Sequence, residues 1–418
     1  MDILPILNEV ISSFRPLFNV QGYALFCSFI LGFIFHPGRK TVTGIYQASG
    51  SSKRYWSFVK FLSRGKWDAD ALAQWLIKLL QSVFKKWVYV YDETHAIKTG
   101  KSQFGLHFFR NHKYQKRNRN QSKFHWGQQF AALGLLCMCT SQAILFPVWV
   151  KMFIPGNAAL NSLAALESIL SHIPAGLIIL DRGFNKRKVF RILLSCGHHL
   201  LCRAKSNAVF YHPPKPEKRP KKKRGRKRKY GKRLHIPSMR FRDVVVNGQT
   251  VSVADALVYT KMCPQLVRLV VKRTKPEKSK TYRYFMVYTT DLQLPVEDIL
   301  RYYRLRWEQE TAFRDTKQNF GFDEYQVSSH LSISRFVQLS FVATSITQLL
   351  FDNPQPMVTV SVDEICKTLD IHWYKPSKLT RGLMQAYIRY LWLRQLFSAE
   401  KLLFVNSQKN HGALMKAA

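Results

Sequence analysis

Tyr303, Arg306, Glu310 and Lys317 follow one another as Y-x2-R-x3-E-x6-K. At about 100° per residue on a helix, the four fall on one face about 60° wide, with Arg314 at its margin. The neighbouring acids Glu308 and Asp315 fall elsewhere on the same helix. A carboxylate is thus set among cations and a phenol. An i,i+4 ion pair between Arg306 and Glu310 on a solvated face accounts for part of this pattern. It does not account for a polar stripe on a helix that should close a core.

Two aspartates extend the set. Trp87-Val-Tyr-Val-Tyr91 is β-branched and aromatic and stops at Asp92. Gly176-Leu-Ile-Ile-Leu180 is the short apolar run of a strand buried on both faces, and it stops at Asp181. Ligand sites in open α/β sheets form at the carboxyl ends of strands. Either aspartate alone is an ordinary strand terminator. Together with Glu310 they offer hard oxygen ligands for two divalent ions, Mg²⁺ or Mn²⁺. Two ions about 3.5–4 Å apart clamp the attacking and leaving oxygens of an in-line displacement at phosphorus. Arg306 and Lys317 would then hold phosphates, and Tyr303 would donate a hydrogen bond to one.

Composition narrows the partner. The 418 residues carry 65 Lys and Arg against 25 Asp and Glu, a formal charge of +40. Solubility needs a net charge of only about 2–8, so a polyanion is expected, and nucleic acid is the commonest. Apolar residues make up 46% of the chain, enough for real cores, which excludes disorder throughout. Seven scattered cysteines without a CxxC pair argue against a disulfide framework and fit a reducing cytoplasm. Cys196, His198, His199 and Cys202 lack a second ligand pair at finger spacing and read as part of a buried strand rather than a zinc site. The longest apolar run, 23–35, is shorter than the roughly 20 residues of a membrane span.

The elements that must position these residues follow from pattern. Residues 1–84 read as helices, over 5–14, 21–35, 42–48, 53–63 and 69–84. The pair around Ala48-Ser49-Gly50 has the shape of a helix-turn-helix, with Lys53 and Arg54 on the second helix facing DNA. Strands are expected over 87–91, 104–109, 129–138 and 143–150, then helix 157–172, strand 176–180, helix 186–194 and strand 199–203. Three antiparallel strands followed by alternating α/β units make a mixed sheet, the order of an RNase H-like core. Lys215–Arg233 holds thirteen basic residues and one acid. Two uses fit it: a phosphate-tracking arm with Arg224 and Arg226 entering a minor groove, or a solvated loop that binds polyanions without specificity. Short strands follow to 289. Pro295 then opens one long helix over 296–318, stopped by Gly321, and 333–351 reads as a buried helix. The fold expected is α/β. A helical DNA-binding domain (1–84) precedes the first part of the core (85–204). A β-rich insertion (205–292) with its basic loop (215–233) precedes the second part with the catalytic helix (293–352). A helical region (353–418) ends the chain.

The Y-R-E-K spacing resembles the signature of a branch of bacterial insertion-sequence transposases, DDE enzymes with an RNase H-like core. Asp181-Arg182-Gly183-Phe184 is similar to their second-aspartate motif. Tyr89-Val-Tyr-Asp92-Glu-Thr94 is similar to the first. The resemblance covers roughly residues 40–350. It implies that Asp92, Asp181 and Glu310 bind two catalytic metal ions. Tyr303, Arg306 and Lys317 would contact transposon-end DNA near the cut, with Arg314 and Arg182 as further candidates for DNA contact. It implies cut-and-paste transposition: hydrolysis at the element ends, then attack of the freed 3′-hydroxyls on target DNA. A homodimer would hold two ends in a synaptic complex, in a bacterial, nucleoid-associated setting. A DNA-binding derivative that no longer cleaves, and an RNase H-like nuclease without strand transfer, are the competing readings. Some members of the branch hold a flipped base on a tryptophan of the β-insertion. No tryptophan occurs between 205 and 300 here, and Trp126 and Trp307 read as packing residues.

Overall fold

A computed structural model describes residues 3–111, 114–115, 121–138, 143–214, 228–276, 281–352, 354, 359–374 and 376–395. The chain opens with five helices, α1 (Ile3–Ser12), α2 (Val20–Phe35), α3 (Val42–Ala48), α4 (Tyr55–Arg64) and α5 (Ala69–Val83). Side-chain caps set several of their starts. Asn19 accepts from the Gly22 amide, Thr41 from the Gly44 amide, and Asp68 from the amides of Asp70 and Ala71. Lys53, expected on the helix, precedes it, and Arg54 is the residue before its first turn.

The central strands are β1 (Trp87–Ile97), β2 (His107–Arg110), β3 (Phe124–Met138), β4 (Ala143–Phe153), β5 (Leu177–Leu180) and β6 (His199–Arg203), with α6 (Ser162–Leu170) and α7 (Arg187–Ser195) between them. Strand β1 pairs along its whole length with β3, whose other edge is shared by β2 and β4. Strands β1, β5 and β6 run parallel. The order β4-β3-β1-β5-β6 has three antiparallel strands followed by two parallel ones, consistent with an RNase H-like core. Five more strands follow: β7 (Phe210–Tyr211), β8 (Arg242–Val246), β9 (Gln249–Thr260), β10 (Val267–Thr274) and β11 (Arg283–Thr289). Strand β11 pairs with β6, so the segment expected as an insertion continues the same sheet, which has eleven strands in all among the described residues.

Alternation separates two packed faces. Val88, Val90, Ile179 and Leu201 meet α8 (Val296–Leu305) through Val296, Ile299 and Leu300. Tyr89, Tyr91, Ile178, Leu180 and Leu200 face the other way, with α6 and α7. Beyond α8 come α9 (Glu308–Phe320), α10 (His330–Phe351), α11 (Val362–Thr368) and α12 (381–395). No helix among the described residues is long and apolar enough to cross a membrane.

The expected single helix over 296–318 is interrupted at Arg306 and Trp307. Here the amide of Trp307 bonds to the Arg304 carbonyl and that of Gln309 to the Arg306 carbonyl, a tightening to i→i−3. The strand expected to stop at Asp92 runs on to Ile97, because β3 supplies partners as far as Gly127.

Helix α10 is buried along nearly all its length. Its polar side chains satisfy the free edge of β4. Gln338 accepts from the Val150 amide and donates to the Val148 carbonyl, and Ser345 donates to Pro147. Arg335 donates to carbonyls of Phe61, Leu62, Gly65 and Trp67, and so closes the end of α4. Phe33 packs against Phe336, and the N-terminal helices share one core with the sheet. Arg381 opens α12 and joins three elements. It donates to Asp315 of α9 at 2.9 Å, Gln348 of α10 at 2.8 Å and the Leu145 carbonyl of β4 at 2.6 Å. Its side chain is 7% exposed and that of Asp315 is 15%. Breaking a buried pair by removing one partner costs about 3–5 kcal/mol. Arg381→Met is therefore expected to lower unfolding free energy by about that amount in urea titration. Arg314→Met, on the exposed side of α9, is expected to change it by less than about 0.5 kcal/mol.

Candidate active site

Asp92 and Asp181 reach the same face of the sheet by alternation. Val88 and Val90 precede Asp92 on β1, and Leu177 and Ile179 precede Asp181 on β5. The last parallel pair is Tyr91 with Leu180, so both aspartates stand where β1 and β5 part. Asp92 is fixed by the Glu93 amide, which donates to its Oδ1 at 2.8 Å. After Asp181 the chain enters a short 3₁₀ turn, Arg182–Phe184, with Phe184 against Tyr91. Buried Asn185 anchors that turn. It donates to the Arg203 carbonyl at 3.2 Å and accepts from the Tyr288 hydroxyl at 3.0 Å. Nothing in the sequence pattern marks Asn185 or Tyr288, because their roles arise from pairing β6 with β11.

Glu310 lies in the first turn of α9, directly after the interruption. Its approach to the sheet depends on Gly134 of β3. A Cβ there would stand 2.1 Å from Oε1 of buried Gln309. A side chain at 134 would have to displace the Gln309 and Leu145 side chains.

The three carboxylates converge on one guanidinium. Arg306 donates through NH1 to Asp92 Oδ2 at 3.4 Å and through NH2 to Glu310 Oε1 at 3.1 Å. Its Nε lies 3.9 Å from Asp181 Oδ1. Tyr303, one turn earlier, donates its hydroxyl to the same Asp181 oxygen at 3.3 Å. Arg306 is 11% exposed, Asp92 18%, Glu310 38% and Asp181 41%. The site is therefore buried at Arg306 and open at Asp181 and Glu310. Burial pushes the Asp92 carboxyl up to about 6; Arg306 moderates this, while Asp181 and Glu310 add to it. Burial and Asp92 push Glu93, on the other face of β1, up to about 7, against the pull of Lys186. Burial alone would lower the pKa of Arg306, but Asp181, Asp92, Tyr303 and Glu310 together raise it. Burial, then Asp181, raises the Tyr303 phenol.

The remaining expected residues are distributed unevenly. Lys317 is half-buried on α9, seven residues and so about 10 Å beyond Glu310 on the same face. Arg314 is exposed and pairs with Asp315 at 3.5 Å. Arg182 is exposed on the turn after Asp181, and Lys53 and Arg54 are exposed before α4. Arg224 and Arg226 lie outside the described residues. Trp307, expected to pack, is 61% exposed. It stands at the rim of a cleft of about 430 Å³ lined also by Phe285, Leu300, Tyr303 and Arg306.

A family model of the DDE superfamily endonucleases matches residues 26–250. The chain belongs to that family. No curated protein in the comparison matches it. The family match includes Asp92 and Asp181 and ends before Glu310, which geometry brings to the same guanidinium. DDE superfamily enzymes use divalent metals. No group of three His, Cys, Asp or Glu among the described residues is arranged to hold a metal directly, since Arg306 stands between the carboxylates. The donor chemistry nevertheless fits. All three side chains are hard oxygen ligands, and the charge they concentrate is answered by one cation.

A carboxyl whose pKa is higher in the folded state opposes folding once it must ionise. For Asp92 no cost exists below about 4, the cost grows between about 4 and 6, and it is complete above about 6. In this DDE endonuclease, Asp92→Asn is expected to flatten the fall in stability over that window. It is expected to stabilise the metal-free protein at pH 8 by about 1–3 kcal/mol. Urea unfolding of both proteins at pH 4 and pH 8 checks this; a variant no more stable at pH 8 than the wild type contradicts it.

Proposed function

We propose that this DDE endonuclease is a transposase of the Y-R-E-K type that excises and inserts its own element. The observation that carries the reading is the convergence of Asp92, Asp181 and Glu310, from two strands and a helix, within 4 Å of one arginine. The Tyr-Arg-Glu part of the signature lies at the same point. Asp92, Asp181 and Glu310 would hold two Mg²⁺ ions, with Mn²⁺ as a substitute. Bound there, the ions lower the pKa of the attacking hydroxyl and neutralise the leaving oxygen.

The protein's own groups do the positioning. Tyr303 orients Asp181 through its hydroxyl. Arg306 neutralises the carboxylates in the free protein and turns to the scissile phosphate when DNA and metal enter. Lys317, Arg314 and Arg182 bind flanking phosphates on the exposed side. Lys53 and Arg54 contact the element end beside α4. Arg224 and Arg226 extend phosphate contact along the duplex. Water attacks the phosphorus at the element end, the P–O3′ bond breaks, and a 3′-hydroxyl is freed. That hydroxyl then attacks a phosphate of the target, displacing a second 3′-oxygen. A homodimer on two ends makes the two attacks concerted in space.

The test is cleavage of DNA carrying the flanks of the chain's own gene, with strand breaks mapped to the nucleotide. Breaks at fixed positions are expected, dependent on Mg²⁺ or Mn²⁺ and reduced about 10³-fold or more by Asp181→Asn and by Glu310→Gln. Sequence-specific binding by folded protein without breaks would contradict the reading and favour a DNA-binding derivative. Breaks without joining to a target would favour a nuclease.

A further inference from the structure

The β2–β3 hairpin carries a surface that the carboxylate site does not use. Phe108 stands opposite Trp126, and Arg110 opposite Phe124, in antiparallel register. Residues directly opposite one another project to the same side, so all four share one face of the hairpin. Alternation along β3 and its partner β1 places them on the face that carries Asp92, through the pairs Thr94–Phe130 and Ala96–Gln128. The other side of the hairpin is different in kind. There Phe109 is buried between His107 and His125, and His107 bonds to Gln129.

Two of the rings on the first face, Phe108 and Phe124, have little packing to explain them, while Trp126 is half-buried. Phe108 is 70% exposed and Phe124 48%. Phe108 and Trp126 stand 4.8 Å apart, tilted by 54°. Trp126 is held in place by its indole N–H, which donates to the Gly100 carbonyl at 2.9 Å. Lys123 lies 5.7 Å from the Phe124 ring, and Arg110, Lys123 and Lys101 are exposed. Rings held at the surface of a sheet and interleaved with cations match what an unpaired nucleic-acid strand presents: flat bases at regular intervals between anionic phosphates. An acidic peptide would use the cations and leave the rings without a role. From Asp92 to Ile97, opposite Gly127 beside Trp126, is five residues of strand, about 17 Å. Between them Thr94, Ala96, Gln128 and Phe130 are buried, with Phe322 against Phe130 and Tyr325 bonded to Gln128, so a strand from the carboxylates reaches the hairpin over that covering segment.

We propose that Phe108, Trp126 and Phe124 form a stacking platform for unpaired bases of the DNA strand that leaves the carboxylates, with Arg110 and Lys123 on its phosphates. The proposal rests on the nuclease reading of the Asp92 face, and its test is made independent of cleavage. Binding of two labelled DNAs is measured by fluorescence anisotropy in EDTA at fixed salt: a blunt duplex, and the same duplex with a six-nucleotide single-stranded extension. Phe108→Ala is expected to weaken binding of the extended DNA about five- to hundredfold, the range of one lost base stack. It is expected to leave the blunt duplex within about twofold. Phe108→Tyr, which keeps the ring, is expected to bind both as the wild type does. Equal weakening of both DNAs, or of neither, overturns the proposal. So does a loss of self-association in sedimentation without a change in DNA binding, which would make the face a contact between copies. A protein that passes this test but fails to cut keeps the platform and loses the transposase reading; one that cuts but fails it loses only the platform.

Discussion

Three carboxylates gathered at the end of a buried sheet repel one another. At an effective dielectric of 20, two charges 4 Å apart cost about 4 kcal/mol. The protein meets this with one guanidinium, Arg306, which contacts all three. Much of the local architecture follows from that need. The helix carrying Arg306 must tighten where Arg306 turns to the sheet, and it does so between α8 and α9. The helix carrying Glu310 must lie close to β3, and Gly134 leaves the space. Asp92 keeps a raised pKa even so, chiefly because it is buried, with Asp181 and Glu310 adding to the rise. A site with surplus negative charge and hard oxygen donors is ready for divalent cations. On the proposed reading, cations bound there would release Arg306 to the anion they bring.

The surrounding structure holds this arrangement from outside. Strand β4 would be a bare edge, yet α10 meets its backbone through Gln338 and Ser345. Arg335 of α10 gathers carbonyls at the end of α4, and Arg381 ties α9, α10 and β4 together. The N-terminal helices and α12 therefore act on the position of α9 without touching the carboxylates. The DNA-contacting roles of the outer basic residues are proposals of a different rank. Lys53, Arg54, Arg182 and Arg314 are exposed, and each would act through a charge that needs little positioning.

The parts of the fold governed by local pattern were legible in the sequence. The apolar run before Asp181 is a strand buried on both faces, as its composition requires. The Tyr303, Arg306 and Glu310 spacing survives the interruption in the helix, because both residues at the break keep helical dihedrals. What was not legible depends on distant partners. Asp92 reads as a strand end, but β3 extends β1 beyond it. The strands after β6 read as a β-rich insertion, and only the hydrogen bonding between β6 and β11 joins them to the central sheet. Arg381 and Asn185 carry no local signal, since each acquires its role only when three elements meet. Trp307 reads as a packing residue by type, and only the packed structure leaves it facing solvent.

The central claim is that Asp92, Asp181 and Glu310 form one metal-binding unit with Arg306 as its resident counter-charge. Mn²⁺ binding followed by electron paramagnetic resonance tests it without DNA or cleavage. The account predicts that the wild-type protein binds Mn²⁺ and that Asp181→Asn and Glu310→Gln each weaken binding by about tenfold or more. Unchanged Mn²⁺ affinity in both variants would contradict it.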